Sequence, residues 1–321
     1  FTTAKPGQVD FARTIEQFEK TDVCLCTFSQ FMSEKGKALL TKIRDMFAVV
    51  IIDEVHKSPA LASSRVLSGF NARYVIGLSG TPDRKVTEEM KVAFDLVGPV
   101  IYESKVERLR PIVELMDTPG EFEYNAKMGK AALPNLQSKL ENNKPRRLAI
   151  IKKAIKYANA GHLVMIPLTR VAAILEWTRL INEMTETKAF AVPFYGGVPK
   201  DVRVSVMDRL RRYKSRIVVG NIAMLSTGLN IPRASCLFEV AISSNLPNAQ
   251  QRFARVLTPM EGKPDPVIVF SLDECDFMKT CRRNEFWNAL VPHYNPKIDP
   301  TVKSRLLDYF ANKGGGRASV F

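Results

Sequence analysis

The segment Phe47-Ala-Val-Val-Ile-Ile52 runs directly into Asp53-Glu54-Val55-His56. An apolar strand that stops at two adjacent carboxylates puts both where the carboxyl edge of a parallel sheet opens into a crevice, the usual ligand position in such sheets. Adjacent acids are costly there without a partner, and a divalent cation supplies one. One carboxylate can hold Mg²⁺ through its water shell while the other faces a reacting water as general base. The competing reading of this tetrapeptide is a strand-end acid that caps the next helix.

Three later segments have the same character. Gly77-Leu78-Ser79-Gly80-Thr81-Pro82-Asp83-Arg84 closes another strand with hydroxyls and a proline stop, which is turn chemistry that leaves Ser79 and Thr81 able to hydrogen-bond. Arg216–Val219 leads through Gly220-Asn221 to Leu225-Ser226-Thr227-Gly228-Leu229-Asn230-Ile231-Pro232, where backbone N–H groups beside a glycine can approach phosphate. In Asn248-Ala249-Gln250-Gln251-Arg252-Phe253-Ala254-Arg255 the two arginines fall on one helix face, with a structural salt-bridge row as the alternative.

Apolar, β-branched runs of the buried parallel-strand type must carry these segments: Val23–Phe28, Phe47–Ile52, Tyr74–Leu78, Leu163–Ile166, Arg216–Val219, Leu237–Ile242 and Val267–Ser271. Helical patterns over Phe11–Lys20, Glu88–Asp95, Arg146–Ala158, Val171–Asn182 and Lys200–Tyr213 alternate with them, as in an open, doubly wound α/β sheet. Asp117–Lys144 breaks the rhythm and reads as a connection between two lobes. The expected division is a first lobe over 1–117, a connection over 118–145, a second lobe over 146–295 and a tail over 296–321.

The chain has 321 residues, with 47 Lys and Arg against 33 Asp and Glu, a net charge of +14. Residues 1–117 hold 16 bases and 16 acids, so the whole excess lies beyond them. From Asn142 to Leu175 there are seven bases (Lys144, Arg146, Arg147, Lys152, Lys153, Lys156, Arg170) and no acid. Arg203, Arg209, Arg211, Arg212, Lys214 and Arg216 form a second cluster offset only by Asp208. Such clusters are the electrostatic footprint of polyanion binding, with a solvated helix face as the alternative. Five Cys without a Cys-x-x-Cys pair and three scattered His exclude a disulfide framework and an ordinary zinc ligand set, so an intracellular compartment is expected. The apolar run Phe47–Ile52 is far short of the ~18 residues of a membrane span.

The order of these segments resembles that of the superfamily 2 helicases and translocases, over nearly the whole chain. Asp53-Glu54-Val55-His56 resembles motif II, Ser79-Gly80-Thr81-Pro82 motif III, Leu163–Arg170 motif IV, Thr227–Pro232 motif V and Gln251–Arg255 motif VI. Cys26-Thr27-Phe28-Ser29-Gln30 is similar to the first-lobe strand-contact motif, and Tyr195-Gly196-Gly197 to the aromatic-Gly element before the basic helix. The Gly-Leu-Ser-Gly-Thr-Pro-Asp-Arg wording leans toward the branch of UvsW-type, XPB-like and restriction-translocase motors. The resemblance implies two RecA-like lobes, the first incomplete at its N-terminus, that hydrolyse ATP with Mg²⁺ in the cleft between them and act on nucleic acid, DNA favoured over RNA, without a membrane.

By the same resemblance Asp53 holds Mg²⁺, Glu54 activates water, and Gln251 and Arg255 complete the catalytic set. Gly228, Asn230 and Arg252 bind nucleotide, while His56, Ser79 and Thr81 couple the site to movement. Thr27, Gln30, Thr169, Arg170, Gly197, Thr227, Arg211 and Arg212 contact the strand. Two departures stand out. No Gly-x-x-x-x-Gly-Lys-Ser/Thr phosphate loop occurs in the sequence, and one is expected upstream of Phe1. Ala254 and Thr258 replace the Gly and last Arg of the usual motif VI, which leaves Arg255 as the arginine finger. The alternatives are a restriction-system motor subunit, an idle nucleic-acid-binding module, and a two-metal nuclease, for which no further acidic motif is apparent.

Overall fold

The computed structural model describes residues 9–55, 65–79, 95, 97–103, 108–227, 230–242 and 246–311. The chain divides into two units, 1–105 and 106–321.

In the first unit, strand β1 (Val9–Phe11) pairs in parallel with β2 (Val23–Leu25), and β3 (Val49–Ile52) pairs in parallel with β4 (Tyr74–Gly77). The expected run Val23–Phe28 is shorter, because Phe28–Phe31 winds into a 3₁₀ turn that buries Phe31. The helix expected from Phe11 begins at Ile15, since Val9–Phe11 is strand. The helix Glu34–Ile43 is capped by Ser33, whose hydroxyl accepts the Gly36 N–H at 3.1 Å. Only glycine fits at position 36, where a Cβ would lie 2.0 Å from the Gln30 carbonyl oxygen. Ala12, Phe18, Phe31, Leu40, Ile43 and Val66 form the core here. Among the described residues the β3–β4 pair is covered on one face: Ile52, Val55 and Leu67 pack on one side, while Ile51 (62% exposed), Tyr74 (52%) and Leu78 (49%) face outward. The helix expected over Glu88–Asp95 lies, apart from Asp95, outside the described residues.

The second unit is a six-stranded sheet, all parallel among the described residues, in the order β5-β10-β9-β6-β8-β7. Its strands are β5 (Ile112–Glu121), β6 (Leu163–Leu168), β7 (Ala191–Phe194), β8 (Ile217–Asn221), β9 (Ala234–Glu239) and β10 (Val267–Glu274). Central β6 is buried throughout and alternates in the two-residue period of a strand. Leu163 and Met165 enter one core, and Val164, Ile166 and Leu168 the other. Helices Lys144–Asn159 and Val171–Met184 cover the second face; Lys200–Arg211, Leu246–Val256 and Pro300–Ala311 cover the first.

Three boundaries differ from the sequence reading. The expected first lobe ended at 117, but β5 pairs with β10 from Ile112 onward and belongs to the second unit. Its Pro119-Gly120 reads as a breaker, yet β5 is an edge strand, where proline is tolerated. The edge strand β7 contains Pro193 for the same reason, and no run was expected there. The segment read as a tail contains the helix Pro300–Ala311, which buries Leu306 and Tyr309 and bonds the Tyr309 hydroxyl to the Asp273 carbonyl at 2.8 Å.

Candidate functional site

In the first unit, Asp53 and Glu54 follow β3 at its carboxyl end, in register with the end of β4, since Ile52 is opposite Gly77. Two backbone bonds lock the turn: Leu78 N–H to the Ile52 carbonyl at 2.8 Å, and Val55 N–H to the Leu78 carbonyl at 2.9 Å. Glu54 is held with φ 53, the left-handed region that a non-glycine residue enters at a cost of about 1–2 kcal/mol. Val55 packs against Gly77, where a Cβ would come within 3.0 Å of its Cγ1. Asp53 is exposed and accepts the Glu54 N–H at 2.9 Å; among the described residues no cation pairs with it. An open carboxylate beside a second, conformationally fixed one suits a water-bridged divalent cation. His56 and Thr81 lie outside the described residues, and half-buried Ser79 follows β4 at the same edge.

Thr27 is exposed behind β2, its hydroxyl 3.0 Å from that of Ser29. Gln30 is half-buried and donates its side-chain amide to the Ala12 carbonyl at 2.8 Å, so that part of the side chain holds the turn together.

In the second unit, Thr169 and Arg170 follow β6 and Gly197 follows β7, while Thr227 ends the short helix Ile222–Thr227 behind β8. Glu141, which the sequence reading did not single out, organises the first of these loops. Its buried carboxylate accepts the Thr169 N–H and hydroxyl at 2.6 Å each and the Arg170 N–H at 3.3 Å. Burial pushes the Glu141 carboxyl up from the usual range, against the lowering pull of these bonds. Its signal in the sequence was position alone: it is the last acid before the acid-free stretch. Asn221 donates to the Thr169 carbonyl at 3.2 Å, and Arg170 reaches the Ser138 hydroxyl. Above this loop is a cavity of about 500 Å³ lined by Met128, Pro134, Asn135, Gln137, Thr169 and Arg170.

The helix Leu246–Val256 separates its two arginines. Arg255 donates through Nε and Nη2 to the Ser226 carbonyl at 3.0 and 2.8 Å and remains half-exposed. Arg252 turns inward, fully buried, with Nε and Nη2 on the two carboxylate oxygens of Glu239 at 3.1 and 2.8 Å. The expected nucleotide contact of Arg252 is therefore replaced by a core ion pair. That pair continues through Glu285 and Arg282 to Ser271 and on to Asp273, which Arg146 grips with Nη2 at 2.9 Å. Arg146 is buried and leaves the basic footprint. Gln251 is half-buried, Asn230 is exposed, and Gly228 lies outside the described residues.

Arg211 and Arg212 do not share a surface with Thr169, Arg170 and Gly197. Because all strands are parallel, chain segments leave them at one edge and re-enter at the other, and the helix Lys200–Arg211 ends where the chain re-enters β8. The sequence pattern grouped them by charge; topology separates them by the length of the sheet.

Two family models match in chain order: the type III restriction enzyme res subunit over residues 4–84 and the helicase conserved C-terminal domain over residues 146–258. With the motif order and the sheet described above, the chain belongs to the superfamily 2 helicases and translocases, built from RecA-like lobes. Among curated relatives, it is 28% identical over 226 residues to the probable helicase D10 of Escherichia phage T5, covering 70% of this chain and 48% of that protein. It is 23% identical over 294 residues to the DNA repair helicase/translocase XPB-R of Trypanosoma brucei brucei, covering 82% and 36%. The chain thus spans about half the length, or less, of these relatives. Its fold is similar to that of the Mycobacterium smegmatis helicase Lhr solved with ssDNA and AMP-PNP, with a TM-score of 0.59, 19% identity and coverage of 94% and 40%. No helix among the described residues is long and apolar enough to cross a membrane.

Proposed function

We propose that the chain is part of an ATP-driven helicase or translocase that moves along or remodels DNA. The observation that carries this reading is the Asp53-Glu54 pair at the end of β3, with Glu54 fixed in a left-handed conformation beside the motif III strand. Asp53 would hold Mg²⁺, which when bound neutralises charge on the phosphates. Glu54 orients the attacking water and takes its proton. Arg255 supplies positive charge to the γ-phosphoryl group as it leaves, its guanidinium already steered by the Ser226 carbonyl. Thr169, Arg170 and Gly197 bind the sugar–phosphate backbone, which makes binding insensitive to sequence.

The preference for DNA rests on the relatives named as a DNA repair helicase/translocase and as bound to ssDNA. The β- and γ-phosphates would need a phosphate loop, and none of the Gly-x-x-x-x-Gly-Lys-Ser/Thr pattern occurs in these 321 residues. A restriction-system motor subunit is the second reading, favoured by the res-subunit match over residues 4–84; copurification with a nuclease or specificity subunit would single it out. The test is Glu54→Gln in a form of the protein that hydrolyses ATP. ATP should still bind while hydrolysis falls by a few orders of magnitude. Near wild-type turnover would reduce the two acids to a strand-end cap.

A further inference from the structure

The edge of the second sheet opposite Thr169 and Arg170 carries an assembly that the motor reading leaves unused. Tyr213 lies in the turn before β8 with φ 56, a left-handed conformation unusual for a bulky residue. Its hydroxyl is tied to the carbonyls of Ala158 and His162 at 3.4 and 3.3 Å, so the ring is fixed at both ends. Two guanidiniums lie against that ring. Arg233, in the approach to β9, stands 4.2 Å from its centroid, and Arg216 stands 5.4 Å from it and 5.6 Å from the Phe190 ring. Lys214 and Arg211 are exposed beside them.

Among the described residues, no carboxylate is within ion-pair distance of Arg211, Lys214, Arg216 or Arg233. Arg212 is different, since it pairs with Asp208 at 2.7 Å. Among the described residues the buried Arg233 Nε has no hydrogen-bond partner. Concentrated, unneutralised charge of one sign is normally dispersed on a surface, and here aromatic stacking and a strained turn hold it together. Arginines already fixed by stacking lose less side-chain freedom when they bind an anion.

We propose that this edge, around Tyr213, Lys214, Arg216 and Arg233, is a second phosphate-binding surface that takes the backbone of nucleic acid outside the segment held at the motif-bearing edge. Nucleic acid fits better than an acidic protein segment. Guanidiniums lie over the Tyr213 ring, which also packs against the core, so little apolar surface is left for a peptide's side chains. What is presented is a set of closely spaced cations suited to a repeating phosphate chain. The proposal rests on the motor reading for the identity of the polyanion, and on geometry for its place.

The test is equilibrium binding of the 321-residue chain to a labelled DNA strand of about 30 nucleotides and to polyglutamate, between about 50 and 200 mM salt. Lys214→Gln combined with Arg233→Gln should weaken DNA binding about tenfold at low salt and flatten the log–log salt slope by roughly 1.5, at ~0.7–0.9 per lost phosphate contact. Lys214→Glu alone, at an exposed and unpartnered position, should weaken it in the same direction with an unchanged melting temperature, which separates binding from folding. If Arg170→Gln weakens binding while the Lys214 and Arg233 variants match the wild type, the second surface does not exist. If these variants lose polyglutamate but not DNA, the partner is an acidic protein and the proposal is overturned. Failure of the wild type to bind DNA at all would reject the motor reading together with it.

Discussion

Arg252 and Arg255 are three residues apart on one helix, and the structure gives them opposite fates. Arg252 is fully buried in a pair with Glu239, so removing it leaves that core carboxylate with Arg282 alone, at 3.7 Å. Breaking a buried pair from one side typically costs ~3–5 kcal/mol. Arg252→Ala should therefore lower stability by about that much in chemical denaturation; an unchanged midpoint would show that the pair contributes nothing. Glu54 offers the converse case. Its left-handed backbone suits glycine, so Glu54→Gly should raise the stability of its unit by ~1 kcal/mol while removing the proposed base. A variant that is less stable than the wild type would mean that the side chain, rather than the turn, holds the conformation.

At the scale of elements, the sequence reading placed most strands because fully buried parallel strands are continuous apolar runs, as in Leu163–Leu168 and Val267–Ser271. It missed β5 and β7, whose prolines mimic loops but are harmless at sheet edges. The acid pair after β3 was legible because chemistry and strand end coincide in sequence. Glu141 and Glu239 were not, since each acts on a partner 28 or 13 residues away that only the fold brings near. Net charge was legible, its distribution was not: Arg146 counted as surface charge until Asp273 claimed it.

The buried chain through Arg252, Glu239, Arg282 and Glu285 fastens the segment after β10 to the motif VI helix. Burial pushes the Glu285 carboxyl up to about 7, only partly opposed by Arg282. The folded state then keeps a proton there that the unfolded chain has lost, so this group's contribution to stability declines as pH rises from about 4.5 toward 7. Glu285→Gln should flatten that decline in the melting temperature. The same slope in the variant would assign the pH dependence to other groups.

For the whole molecule, the +14 charge and the lack of a phosphate-loop pattern in the sequence have separate consequences. The charge makes binding salt-dependent. The lack of a Gly-x-x-x-x-Gly-Lys-Ser/Thr loop in the sequence predicts that residues 1–321 by themselves hydrolyse ATP negligibly; robust hydrolysis by 1–321 that Glu54→Gln abolishes would refute this. The principal assignment is that Glu54 and Arg255 both serve ATP turnover. Its most direct test is steady-state ATP turnover at saturating DNA by Arg255→Ala, in a form of the protein that hydrolyses ATP. A loss of about a thousandfold or more is expected, with DNA affinity and melting temperature nearly unchanged. Turnover within a few-fold of wild type would contradict it.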